Sequence, residues 1–202
     1  FLLAWEVLLT DDAYPLFAKV LNASPMTAVS TNQREVGLLI DAPPDNVAGV
    51  ARELSRRRLN ASFALSAAPS SRALGALRRM GDDALPRLAA GGPFHSFGTK
   101  GKLINDATAL GLGKGFMYEP SNDFTPTQYL LAHAAGGSPV TGAAEGGPGD
   151  RLPAVHRGEI VQVNVDGPTT AWTATLDSLH SRLAARGLEA VTLPTLVSSG
   201  SD

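Results

Sequence analysis

The run Val36-Gly37-Leu38-Leu39-Ile40-Asp41-Ala42-Pro43-Pro44 decides how the rest of this 202-residue chain is read. Val36–Ile40 is apolar without alternation, as a strand buried on both faces requires. Asp41 ends the run, and the two prolines that follow cannot donate to a ladder, so the strand closes in a turn. Asp45 or Asn46 stands where a cap belongs, before a helical stripe of Val47, Val50, Ala51 and Leu54. A buried strand leading directly into an amphipathic helix is the repeating unit of a parallel sheet.

The same alternation continues outward. Asn60–Leu65 reads as a second strand, and Ser70 or Ser71 caps a helix through Leu74, Leu77 and Met80, with one further helical turn at Leu85–Leu88. Gly91-Gly92-Pro93 ends that unit. Lys102–Leu112 suggests a short helix, Gly115–Tyr118 a short strand, and Thr125-Pro126 the start of a helix through Leu131. Gly136–Gly149 is dense in glycine and reads mainly as loop, with a weak strand at Pro139–Gly142. Glu159–Val165 is the clearest late strand. Trp172–Ala185 is an amphipathic helix with Gly187 at its C′ position, and Leu188–Leu193 is the last strand. Before Val36 lie a short helical pattern over Ala4–Leu21, interrupted at Pro15, and a Ser/Thr/Asn/Pro-rich loop over 22–34. The organisation expected is therefore an extension over 1–34 and an α/β domain over 35–202. Alternation alone leaves barrel or open sheet undecided. A G-x-G-x-x-G loop is missing after the first strand, which disfavours a dinucleotide-binding domain.

Composition narrows the function classes. A hydrophobic fraction of 44% and a charged fraction of 18% belong to an ordinary globular protein. A net charge of −2 gives no electrostatic case for nucleic acid, and the arginines at 56–58 and 78–79 read as solvated helix faces. With no cysteine there are no disulfides, no thiol catalysis and no Cys-ligated zinc. The apolar run Phe1–Leu9 is too short to span a bilayer. The chain starts without Met, which suggests a processed or trimmed piece of something longer, whose signal peptide or anchor would not be seen.

Five segments, Val36–Pro44, Asn60–Leu65, Phe94–Thr99, Gly158–Val165 and Arg182–Leu193, resemble the polysaccharide deacetylases in order and approximate spacing. That family comprises metal-dependent carbohydrate esterases acting on chitin, peptidoglycan or acetylated xylan. The resemblance implies a distorted (β/α) barrel with its site at the carboxyl ends of the strands. It also implies what has changed. The family's first strand ends in Thr-Phe-Asp-Asp-Gly-Pro; the base aspartate matches Asp41, while the metal-binding aspartate matches Ala42. Asn60-Ala61-Ser62-Phe63-Ala64 matches the next strand. The His-Ser/Thr-x-x-x-His metal motif falls on His95-Ser96-Phe97-Gly98-Thr99, so His95 is kept and Thr99 replaces its partner. The Arg-Pro-Pro-Tyr-Gly loop falls on Glu119–Asp123, and the general-acid histidine of the late Leu-His-Asp strand matches Asn164.

These replacements bear on the chemistry. The family's metal polarises the acyl carbonyl and lowers the pKa of its bound water from about 16 towards 7. A carboxylate takes that water's proton and a histidine protonates the leaving group, which an asparagine side chain cannot do. Catalytic zinc sites use three protein ligands, and Ala42 and Thr99 supply none. The expectation is a catalytically degenerate, pseudoenzyme-like domain without cofactor, binding a polysaccharide or oligosaccharide in a bacterial, extracytoplasmic setting. One alternative is an active metal-dependent hydrolase whose zinc or other divalent metal is held by Asp41, His95 and Asp166. Another is a protein–protein scaffold, with a protein partner or homo-oligomer.

Plainer roles stand beside these. Asp41 also fits an Asx-turn or helix cap, and His95, between Phe94 and Phe97, fits a packed core histidine. His133, His156 and His180 fall on surface positions. Tyr118, Glu119 and Trp172 are candidates for a substrate groove, with core packing as the default for the aromatics.

Overall fold

A computed structural model describes residues 25–65, 71–87, 115–118, 137–167 and 169–200. The expected helices at 4–21, 102–112 and 125–131, with His95, Thr99, Glu119 and His133, lie outside these residues. The chain divides into two compact units, Thr27–Ala84 with Gly142–Asp202, and Phe1–Met26 with Leu85–Thr141.

The larger unit is built on a sheet in the order β3-β2-β1-β7-β6, with β8 also paired to β1. Its strands are β1 (Glu35–Asp41), β2 (Ser62–Leu65), β3 (Asp83–Pro86), β6 (Ala144–Gly146), β7 (Ile160–Asn164) and β8 (Glu189–Val191). β1 runs parallel to β7 from Gly37↔Ile160 to Asp41↔Asn164. Its other edge is shared: β8 takes Glu35–Gly37 and β2 takes Leu39–Asp41, both parallel. β6 continues the sheet beyond β7, also parallel. The fold class expected from the alternation is thus the one observed. In the smaller unit, β4 (Phe116–Tyr118) and β5 (Ser138–Val140) form a parallel pair, at both places where weak strands are expected.

Among the described residues, four helices belong to the larger unit: α1 (Val47–Arg56), α2 (Ser71–Met80), α3 (Thr169–Arg186) and α4 (Leu193–Ser199). Two glycines show which face each of two helices covers. A Cβ on Gly37 would come within 2.9 Å of Leu193 and Leu196, so α4 lies on the face that also carries Leu39 and Asp41. A Cβ on Gly146 would meet Leu152 and Thr175, so α3 lies on the opposite face. Arg57 then ties α1 to α3, its guanidinium 2.7 Å from Asp177 and 2.8 Å from Glu53. This arginine is 14% exposed and works as a clasp between helices, which corrects its reading as part of a solvated run. α3 ends at Gly187, whose φ of 62° is the left-handed conformation expected at C′.

Three local expectations change. The residues at 83–86 form the edge strand β3 in place of a helical turn: Asp83 N–H donates to the Ala61 carbonyl, drawing the segment beside β2, and Pro86 is tolerated at an edge. The glycine-dense loop contains β6, because β7 supplies a ladder that small residues can approach closely. Beyond β8 the chain turns into α4, capped where Thr192 accepts from Thr195 N–H, with Pro194 in the first turn. Asn46 occupies the N-cap of α1 but makes no cap bond; its Nδ2 donates to the Val165 carbonyl at 3.5 Å.

Asp82, where α2 meets β3, is 8% exposed and accepts from Ala61 N–H at 3.0 Å through Oδ1. Among the described residues Oδ2 has no partner. Burial pushes its pKa up from 3.8 to about 7, partly opposed by the Ala61 bond. Between those values the folded chain binds a proton that the unfolded chain has released, so stability declines as pH rises through this window. The expected loss is up to about 4 kcal/mol between pH 4 and 8. Urea unfolding across that range should show it, and Asp82→Asn should flatten the dependence.

Candidate functional site

Parallel strands end on the same side of a sheet, and the carboxyl ends of β1, β6 and β7 bring together residues far apart in sequence. Asp41 closes β1 and is in register with Asn164 at the end of β7 and with Ala64 on β2. In-register neighbours on parallel strands point to the same face at roughly 4.8 Å separation. Gln162, two residues before Asn164, shares that face and is in register with Glu145 on β6. The side chains meet: Asn164 Nδ2 donates to Glu145 Oε1 at 2.9 Å, and Gln162 Nε2 donates to the same oxygen at 3.0 Å. Gln162 Nε2 also lies 3.3 Å from Asn164 Oδ1. Gln162 is fully buried, Asn164 and Asp41 are half-buried, and Glu145 is exposed. The arrangement is a carboxylate held by two amide donors, with a second carboxylate two strands away, across β7.

Asp41 and Asn164 are the sequence candidates that the fold brings side by side. Ala42 follows Asp41 and is buried, 3% exposed. Asp166 lies beyond the end of β7, so the alternation expected to align it with Asn164 does not reach it, and it is exposed. Trp172 is 3% exposed, on the first turns of α3, where with Asn46, Arg52 and Met80 it borders an open groove of about 700 Å³. Tyr118 belongs to the smaller unit and is fully buried. His156 pairs with Glu159 at 3.1 Å on the surface, as expected of a surface histidine.

Glu145 and Gln162 were not anticipated. A polar residue inside the apolar run at 160–165, two positions before Asn164, was a usable signal for Gln162. Glu145 carried none, since its strand lies in a stretch whose glycines read as loop.

The described part of the implied metal site is incomplete, since His95 and Thr99 lie outside the described residues. Ala42 has no donor atom, Asn164 directs its amide nitrogen to Glu145, and among the described residues no three His, Cys, Asp or Glu side chains converge.

No family model matches the chain, and no curated protein matches it by sequence. Solved structures do match. The chain has the fold of the family 4 carbohydrate esterases. A family 4 carbohydrate esterase from Bacillus anthracis superposes with a TM-score of 0.69 at 14% identity, covering 91% of this chain and 92% of that one. A peptidoglycan N-acetylglucosamine deacetylase superposes with a TM-score of 0.70 at 15% identity, covering 91% and 97%. A family 4 pseudoenzyme from Bacillus anthracis gives 0.57 at 16% identity, covering 86% and 69%. The polysaccharide-deacetylase fold implied by the sequence is therefore the fold found.

Asn164 supplies one of two donors to an exposed carboxylate, so removing it should cost little. Asn164→Ala is expected to lower stability by less than about 1 kcal/mol in urea titration, with the chain still folded. A loss of several kcal/mol would mean that the amide pair holds the sheet together.

Proposed function

We propose that this chain is a catalytically degenerate member of the deacetylase fold that binds a polysaccharide or oligosaccharide outside the bacterial cytoplasm. The register Asp41↔Asn164 carries the reading. By the sequence resemblance the position beside the base aspartate belongs to the general-acid histidine, and here it holds an amide that cannot transfer a proton near neutral pH. Ala42, in place of a ligand, removes a metal donor at the same strand end. The pseudoenzyme among the matching structures supports the idea that this fold persists without its standard chemistry. What remains at the described strand ends is a set of hydrogen-bonding groups, Asp41, Glu145 and Asn164, with the buried Gln162 beneath them, of the kinds that recognise sugar hydroxyls.

Elemental analysis and zinc calorimetry on the purified chain, together with acetate release from an N-acetylated chitooligosaccharide, test this reading. The expected result is no stoichiometric metal, no zinc affinity tighter than about millimolar, no acetate, and saturable binding of the oligosaccharide. Stoichiometric metal lost on Asp41→Ala or His95→Ala, accompanied by acetate release, would establish an active hydrolase instead.

A further inference from the structure

We infer that the groove along α1 is a second place where an uncharged saccharide is held, through the indole N–H of Trp172 and the guanidinium of Arg52. The inference rests on the glycan-binding reading above and adds a site outside the strand ends. The groove, about 700 Å³, is within the size range of ligand sites, and its walls come from the larger unit alone. Trp172 lines it and is 3% exposed, and a tryptophan buried to that degree ordinarily gives its N–H to a partner. Here, among the described residues, Nε1 makes no hydrogen bond, and it is not one of the side-chain atoms sealed from solvent. The small accessible part of the ring therefore includes an unmet donor.

Along α1 the lining follows one helical face: Asp45, then Ala48 and Gly49, then Arg52. The small residues leave space in the middle, and a Cβ on Gly49 would meet nothing within 4 Å. Arg52 is exposed and donates from Nε to the Ala48 carbonyl at 3.2 Å; among the described residues its terminal nitrogens have no partner. Asp45, about 10 Å away along the axis, is exposed and likewise unpaired among the described residues. The lining thus offers donors at Trp172 and Arg52 and an acceptor at Asp45. Its charges balance, since Arg52 and Arg56 stand against Asp45 and Glu53, so an anion gains little there. A hydroxyl both donates and accepts, and an uncharged polyhydroxyl chain meets each of these groups. A peptide strand is a poorer match, because the floor is helix with no free ladder edge. Besides Trp172, Met80 is the only large apolar side chain among the described lining residues.

Trp5 and Trp172 are the chain's two tryptophans, so Trp5→Phe leaves Trp172 as the sole fluorescent reporter of the groove. Titrating that variant with a fully N-acetylated β-1,4-linked glucosamine hexamer should give a saturable change in tryptophan emission that added salt does not alter. By calorimetry, the same hexamer should bind Arg52→Gln about three- to tenfold more weakly than the unaltered chain. Calorimetric binding of the hexamer with no change in Trp172 emission and no loss in Arg52→Gln overturns the groove site while glycan binding stands. Absence of hexamer binding overturns both. Emission that responds to a neutral glycine–serine hexapeptide and not to the hexamer overturns the saccharide assignment. The Arg52→Gln comparison changes one exposed side chain and does not depend on how Trp5→Phe folds.

Discussion

The ladder between β1 and β7 is the constraint on which the larger unit depends. Five residue pairs, from Gly37↔Ile160 to Asp41↔Asn164, place the middle strand, and its other edge then receives β8 and β2 in succession. Leu38, Leu39 and Ile40 are all fully buried there, each stabilising by roughly 1.5–3 kcal/mol relative to exposure. Because side chains alternate with period two, slipping this ladder by one residue would send Gln162 and Asn164 to the face covered by α3. The hydrophobic cost of that slip protects the register, and the register assembles the site. Folding stability and site geometry thus share one cause.

The two faces are closed by different means. Gly37 leaves room for Leu193 and Leu196 of α4, while Gly146 leaves room for Leu152 and Thr175 on the other side. The Arg57 clasp and the bonds from Arg182 and Arg186 to the Leu152 and Val155 carbonyls secure α1, α3 and the segment after β6. None of these contacts involves Asp41, Glu145 or Asn164. Substitution at the strand ends therefore leaves these particular contacts in place.

Much of this architecture was legible. An apolar run at 36–40 and a second at 160–165, interrupted by Gln162 and Asn164, announced strands, and the helices between them announced parallel pairing. The sequence patterns failed where long-range partners overrode local preference: at Asp83–Pro86, pulled into the sheet by Ala61, and at Ala144–Gly146, made a strand by β7. The start of α4 was readable in Thr192-Leu193-Pro194, a cap followed by proline, yet the apolar run before it suggested only a strand. At the site, Asp41 and Asn164 could be named in advance because each closes a recognisable strand. Glu145 could not, since its position is defined only by a pairing with a residue 17 positions away.

On the proposed reading, an asparagine at 164 in place of the family's histidine alters more than a proton donor. A histidine there would change its charge and its donor count within the physiological range, as proton transfer requires. An asparagine amide keeps both constant over that range. A metal would bring its own charge to a carboxylate; here the amide donors of Asn164 and Gln162 hold Glu145 by hydrogen bonding. On the proposed reading the site keeps its amide donors under conditions that would switch a histidine. On that reading the arrangement favours holding a ligand by hydrogen bonds over moving protons.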